Sequence, residues 1–228
     1  MNAAIQSICY NISKRPELRN SPLKRSQLHE VIAAMLGYSS HAALVQENKN
    51  LQLTDFEFSD AEFIVLNVPQ GVDRAQKIGL SVDIVNTCIL EVKKGLPVPV
   101  FESLQDFYDE HLNEFFEKFI YDVACESGEM ANSNAAFDTY PDMDQNFSIS
   151  SDFWTALQEW SIEDTGTLTG SYDPEGDRMY NGHMFNVKGK LTFAKAGRAG
   201  LIFLDDSSDC FLSSDDSWRD YEPYEIED

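Results

Sequence analysis

The chain has 228 residues, and its 39 Asp and Glu outnumber 17 Lys and Arg, for a formal net charge of −22. That length supports one large domain or two small ones, and 43% hydrophobic with 12% aromatic residues exclude a wholly disordered chain. Such acidity disfavours nucleic acid and anionic membrane as partners of the bulk of the chain and favours a basic surface.

The charge is unevenly placed. Residues 1–50 hold 6 Lys and Arg against 3 Asp and Glu, a net of +3, whereas residues 51–228 hold 11 against 36, a net of −25. No apolar run reaches the ~18–20 residues that span a bilayer. The opening MNAAIQSICYNISKRPELR lacks the charged start and apolar core of a secretory signal. A cytoplasmic protein is expected. Cys9, Cys88, Cys125 and Cys210 have no CxxC spacing and read as reduced thiols.

In chain order, Ala4, Ile5, Ile8, Cys9 and Ile12 have helical spacing and predict a first helix ending by Pro16. Ser21-Pro22 then predicts the start of a second helix, with Leu28, Val31, Ile32, Met35 and Leu36 on its apolar face. Gly37 suits a left-handed helix end, and Ser39 or Ser40 can cap a short third helix. The run Phe63–Val68 reads as a buried strand. Gly79 closes a short helix, Ser81 caps another that ends at Gly95, and LPVPVF is an edge strand or linker.

Residues 103–125 carry the clearest helical pattern, with Ser103 and Asp106 as a capping box. An apolar stripe runs from Leu104 to Val123, opposite a face rich in Asp109, Glu110, Glu114, Glu117 and Asp122. Residues 126–152 read as a polar loop with one helical turn near Asn134–Phe137. Ser151 predicts a helix bearing Phe153, Trp154, Leu157 and Trp160. The period then falls to two, in GTLTGSY and MFNVKGKLTF, with turns at residues 173–177 and 195–198. AGLIFL and CFL complete a small antiparallel meander. The tail from Asp205 holds 10 Asp and Glu against 1 Arg.

The expected fold is α+β: a mainly helical N-terminal part, then a small antiparallel β-sheet and an acidic tail. The expected divisions are a basic helical hairpin over 1–50, a mainly helical acidic part with one or two strands over 51–147, and a helix with the sheet and tail over 148–228. One continuous domain would also accommodate all three.

The segment Ala33-Ala34-Met35-Leu36-Gly37-Tyr38-Ser39, within residues 23–47, resembles a helix-turn-helix. It is similar to short helical modules at the start of bacterial proteins of unassigned function. The resemblance implies DNA contact, with Lys14, Arg15, Arg19, Lys24 and Arg25 on phosphates. The second helix departs from that pattern. It has no arginine, and Gln46, Asn48, Lys49 and Asn50 cluster at its far end, whereas base reading needs several such side chains spread along the helix. A packing module with a basic edge is therefore the leading expectation there.

The catalytic motifs are missing. His29, His41, His111 and His183 have no HxH or HExxH spacing, and GxSxG, GxGxxG and the phosphate-loop pattern do not occur. Asp142-Met143-Asp144-Gln145-Asn146 begins like a calcium loop but lacks its glycine and closing glutamate. Neither cofactor nor metal is expected. Asp177, Arg178 and His183 bracket a turn and define the one enzyme alternative.

What remains is carboxylates interleaved with rings. Asp215, Asp216, Trp218, Tyr221 and Tyr224, together with Asp109, Glu110, Glu114 and Glu117, form the expected partner-binding set. Aromatics supply anchor area while carboxylates steer a basic partner. The expectation is a non-enzymatic inhibitor of the immunity-protein or antitoxin kind, acting on a basic toxin or nuclease. A DNA-associated regulator is the alternative.

Overall fold

The structure is a computed structural model that describes residues 2–16, 23–49, 56–133, 135–172 and 183–215. In chain order its helices are α1 (Asn2–Ser13), α2 (Arg25–Met35), α3 (His41–Lys49), α4 (Val68–Lys77), α5 (Val82–Gly95), α6 (Leu104–Phe107), α7 (Asn113–Cys125) and α8 (Gly128–Ala131). Its strands are β1 (Phe63–Val65), β2 (Val100–Phe101), β3 (Ala135–Ala136), β4 (Asp142–Met143), β5 (Ser148–Ile149), β6 (Glu159–Thr169), β7 (Ser171–Tyr172), β8 (Met184–Ala196), β9 (Gly200–Phe203) and β10 (Asp209–Ser214). The fold is α+β.

Two compact units divide the chain, and neither is one continuous stretch. The first takes Met1–His111, Ile149–Ser161 and Thr192–Leu204; the second takes Leu112–Ser148, Ile162–Leu191 and Asp205–Asp228. The long strands β6 and β8 each contribute one part to each unit.

In the first unit, α1, α2, α4 and α5 pack through one apolar cluster that includes Ile8, Cys9, Ile12, Leu28, Ile32, Met35, Val85, Cys88 and Val92. Helix α2 begins at Arg25 after Lys24, whose amide donates to Gln27 Oε1 at 2.9 Å. The predicted start at Ser21-Pro22 lies outside the described residues. Gly37 has φ +87°, and the amides of Gly37 and Tyr38 donate to the carbonyls of Ala34 and Ala33. This left-handed helix end is the one its glycine predicts. Ser40 Oγ then accepts from the Ala43 amide at 3.1 Å and starts α3.

The sheet is mixed, which corrects the purely antiparallel expectation. β1 pairs parallel with β2, Ile64 opposite Val100, because α4 and α5 form the crossover that brings the chain back in the same direction. Its other edge pairs antiparallel with β9, Phe63 opposite Leu201, and β9 pairs antiparallel with the end of β8.

The second unit packs α7 on the first part of β8. Gly189 lies beneath the helix, where a Cβ would meet Ile120 at 2.1 Å and Phe116 at 2.9 Å. β10 pairs antiparallel with β8, Leu212 opposite Val187, and β4 pairs antiparallel with β6, Asp142 opposite Thr167. β3 and β7 form a separate two-stranded sheet.

Three local expectations change. The single helix over 103–125 is α6, a π-helical turn at Tyr108–Leu112 and α7. Its predicted start holds, since Ser103 Oγ accepts from the Asp106 amide at 3.0 Å. The helix predicted from Ser151 is a turn closed by the Thr155 amide on Asp152, followed by β6. Trp160, Ile162, Asp164, Gly166 and Leu168 are buried in alternation, so the period of two already begins at Trp160. The helical turn expected near residue 135 is replaced by β3. No helix among the described residues is long and apolar enough to cross a membrane.

Candidate protein-binding surface

The units also divide the charge, though less sharply than residue 50 does. By sequence the first unit holds 12 Lys and Arg against 16 Asp and Glu, a net of −4. The second holds 5 against 23, a net of −18. By sequence, most of the net negative charge therefore falls in the second unit.

Helix α7 shows how that charge is displayed. Phe116, Ile120 and Ala124 bury one face. Glu114, Lys118, Asp122 and Glu126 are exposed at intervals of four, so they form one row on the outer face. Glu129 of α8 is exposed as well. Glu117 is half-buried, and desolvation, followed by repulsion from Asp142 and Glu114, pushes its carboxyl above the usual range. Ionised carboxylates that repel one another in this way are relieved by a cation.

Asp164 of β6 is buried and accepts from the amides of Gln145 and Asn146 at 3.0 and 3.2 Å. Burial raises its carboxyl pKa, and Asp144 adds to that, while the backbone hydrogen bonds oppose it. It holds the turn in which Gln145 takes φ +53°. Among the described residues no group of three or more His, Cys, Asp and Glu is placed to hold a metal ion.

Of the residues expected to bind a partner, Glu114 and Glu117 belong to this unit. Asp215 follows β10, its amide donating to the Met184 carbonyl at 2.9 Å. Asp109 and Glu110 are exposed on the π-helical turn of the first unit, with Gln105 donating to Asp109 at 2.9 Å. Asp216, Trp218, Tyr221 and Tyr224 lie outside the described residues, as do Arg19, Asp177 and Arg178. His183 is exposed.

The basic edge is rearranged relative to expectation. Arg15 is paired with Glu91 and so is not a free phosphate contact. Lys14 Nζ and Arg25 Cζ lie 5.3 and 5.4 Å from the centroid of the Tyr10 ring, which is 48% exposed, and Lys24 is exposed beside them. Helix α3 is anchored by buried Leu44 and by Glu47, which binds Arg198. His29 Nδ1 and His41 Nε2 meet at 3.2 Å across the hairpin.

Sequence reasoning missed Lys195. Its side chain is fully buried, with Nζ donating to the carbonyls of Phe153 at 3.1 Å and Arg198 at 2.7 Å. Nζ also sits 3.6 Å from the Phe153 ring centroid. Burial pushes its ammonium down to about 7, and Asp152 opposes that shift. All its near partners are carbonyls and a ring, an arrangement that ties two turns together. The available signal was a lysine between Ala194 and Ala196 in an otherwise apolar strand end.

No protein-family model, no curated protein and no solved structure matches this chain.

Proposed function

We propose that the chain is a non-enzymatic binding protein whose acidic second unit covers a basic protein surface, as an inhibitor of the immunity-protein or antitoxin kind covers a toxin or nuclease. The supporting observation is that the described residues of the second unit hold 14 Asp and Glu against 3 Lys and Arg, a net of −11, whereas those of the first hold 14 against 11, a net of −3. The second unit's α7, with the Glu126 that caps it, offers an exposed row of Glu114, Asp122 and Glu126 diluted only by Lys118. Such a surface speeds association with a cationic partner and occupies sites that would otherwise hold phosphate.

The test is capture of a basic protein from the native source at low salt, followed by purification of the pair. The reading expects a 1:1 complex that weakens steeply with ionic strength, loses affinity on combined Glu114→Lys and Asp122→Lys substitution, and suppresses the partner's own activity. An unaltered partner activity in the saturated complex removes the inhibitor reading.

A DNA-associated regulator is a second reading, supported by the exposed Tyr10 ring with Lys14 and Arg25 over it. It expects a mobility shift with duplex DNA at low salt that Lys24→Glu with Arg25→Glu abolishes. Absence of any shift ends it.

A further inference from the structure

In the second unit, one face of the sheet lies under α7 and carries Phe185, Val187, Gly189 and Leu191 inward. The alternation sends Asn186 and Lys188 to the other face. The β10 register sets Ser213 opposite Asn186 and Phe211 opposite Lys188. Thr165 and Thr167 of β6 and Asp144 complete a hollow of about 300 Å³ on this face.

Its chemistry is selective. Phe211 is 67% exposed, the most exposed large hydrophobic side chain among the described residues. Lys188 Nζ at the rim is 3.0 Å from Glu163, an exposed pair in which a carboxylate of the same unit offsets part of its charge. What the hollow then offers is the Asp144 carboxylate, whose Oδ2 already accepts from the Thr165 hydroxyl at 2.5 Å, the Thr167 hydroxyl, the Asn186 amide, the Ser213 hydroxyl and an open aromatic ring. The surrounding unit is strongly negative, which repels anionic ligands and draws cations.

We propose that this hollow is the docking site for an arginine side chain on a basic segment of the partner protein; the assignment rests on the acidic-inhibitor reading above. A guanidinium is planar and presents five donors, so it can stack on Phe211 while donating to Asp144 and the hydroxyls. A lysine ammonium is a compact, strongly hydrated charge and uses the ring less well.

The test uses the full chain and three peptides, hexa-arginine, hexalysine and hexaglutamate, followed by NMR titration at low salt. Hexa-arginine is expected to shift the amides of Thr165, Thr167, Asn186 and Ser213, to bind more tightly than hexalysine, and to lose about fivefold in affinity on Phe211→Ala. Asp144→Asn is expected to weaken it as well, with unchanged circular dichroism in both variants. Hexa-arginine binding that maps to α7 and ignores Phe211→Ala and Asp144→Asn overturns this site and leaves the acidic-inhibitor reading standing. Equal binding of hexa-arginine and hexalysine overturns the arginine preference. No binding of either cationic peptide overturns both the site and that reading, and hexaglutamate binding does the same.

Discussion

Arg198 holds Glu47 with two nitrogens: Nε lies 3.2 and 3.0 Å from the two carboxylate oxygens, and Nη2 lies 2.8 Å from Oε2. This joins the β8–β9 turn to α3. The same residue donates its amide to Tyr38 Oη at 3.4 Å and offers its carbonyl to Lys195. One turn residue thus fastens the helical hairpin and the buried lysine. Charge-assisted pairs of this geometry are stronger than single surface contacts, and this one is only partly exposed. A double-mutant cycle with Arg198→Met and Glu47→Gln is expected to give a coupling of about 1 kcal/mol in urea denaturation. Zero coupling would mean that the pair does not support the hairpin.

Lys195 makes stability depend on pH in a defined direction. In the unfolded chain its ammonium titrates at the ordinary 10.5, and in the folded chain at about 7. Between those values the unfolded state binds a proton that the folded state lacks, so stability rises with pH. The penalty is complete below pH 7. From about pH 8 upward the thiols of Cys9 and Cys88, pushed up to about 12, and of Cys210, pushed up to about 11, act in the opposite sense, since the unfolded chain loses their protons first. The clean window is therefore about pH 7–8, ending a unit below the ordinary 9.0 of the unfolded thiols. There the unfolding free energy is expected to climb by about 1 kcal/mol per pH unit, because Lys195 is still partly protonated in the folded chain near pH 7. Lys195→Met should flatten the slope, and a variant that keeps it shows that another group titrates.

Two glycines with positive φ separate backbone strain from crowding. Gly37 has φ +87° and would place a Cβ 2.9 Å from Trp154, whereas Gly79 has φ +76° and open space around it. Gly79→Ala is expected to cost about 1 kcal/mol for the left-handed backbone alone. Gly37→Ala adds the clash with Trp154, whose Nε1 donates to the Val65 carbonyl at 3.2 Å, and is expected to cost about 2–3 kcal/mol. Chemical denaturation of the two variants measures the difference. Equal costs would show that Trp154 shifts freely.

Thiol accessibility gives a direct check of burial. Cys125 is exposed, Cys210 half-buried, and Cys9 and Cys88 buried on the facing helices α1 and α5. In the folded protein one thiol should react quickly with an aromatic disulfide reagent, and Cys125→Ser should remove that phase. Cys9 and Cys88 should react only on unfolding. Fast modification of either would contradict the packing of the first unit.

Local patterns were legible wherever a single period governed the segment. Phe185, Val187, Leu191 and Phe193 gave β8 its inward face, and Gly37 gave the hairpin its turn. The helical spacing of Phe153, Trp154 and Leu157 predicts a helix through Trp160, whereas the alternation of Trp160 runs forward into Ile162 and belongs to β6. The parallel pairing of Ile64 with Val100 depends on how α4 and α5 return the chain, which no local period encodes. The π-helical turn at Tyr108–Leu112 interrupts a stripe that reads as continuous in sequence. The candidate surface was half visible. The carboxylates of α7 follow from periodicity, whereas the hollow beside Phe211 exists only through the register of β10 on β8.

The sharing of β6 and β8 between the units has a genetic consequence. The chain passes from one unit to the other five times, at residues 111–112, 148–149, 161–162, 191–192 and 204–205. No single crossover between related genes could transplant the acidic unit intact, and no simple truncation would isolate it. In the proposed binding role, variation in the partner would have to arise by substitution on the existing scaffold, at positions such as Phe211 and Asp144, rather than by exchange of modules.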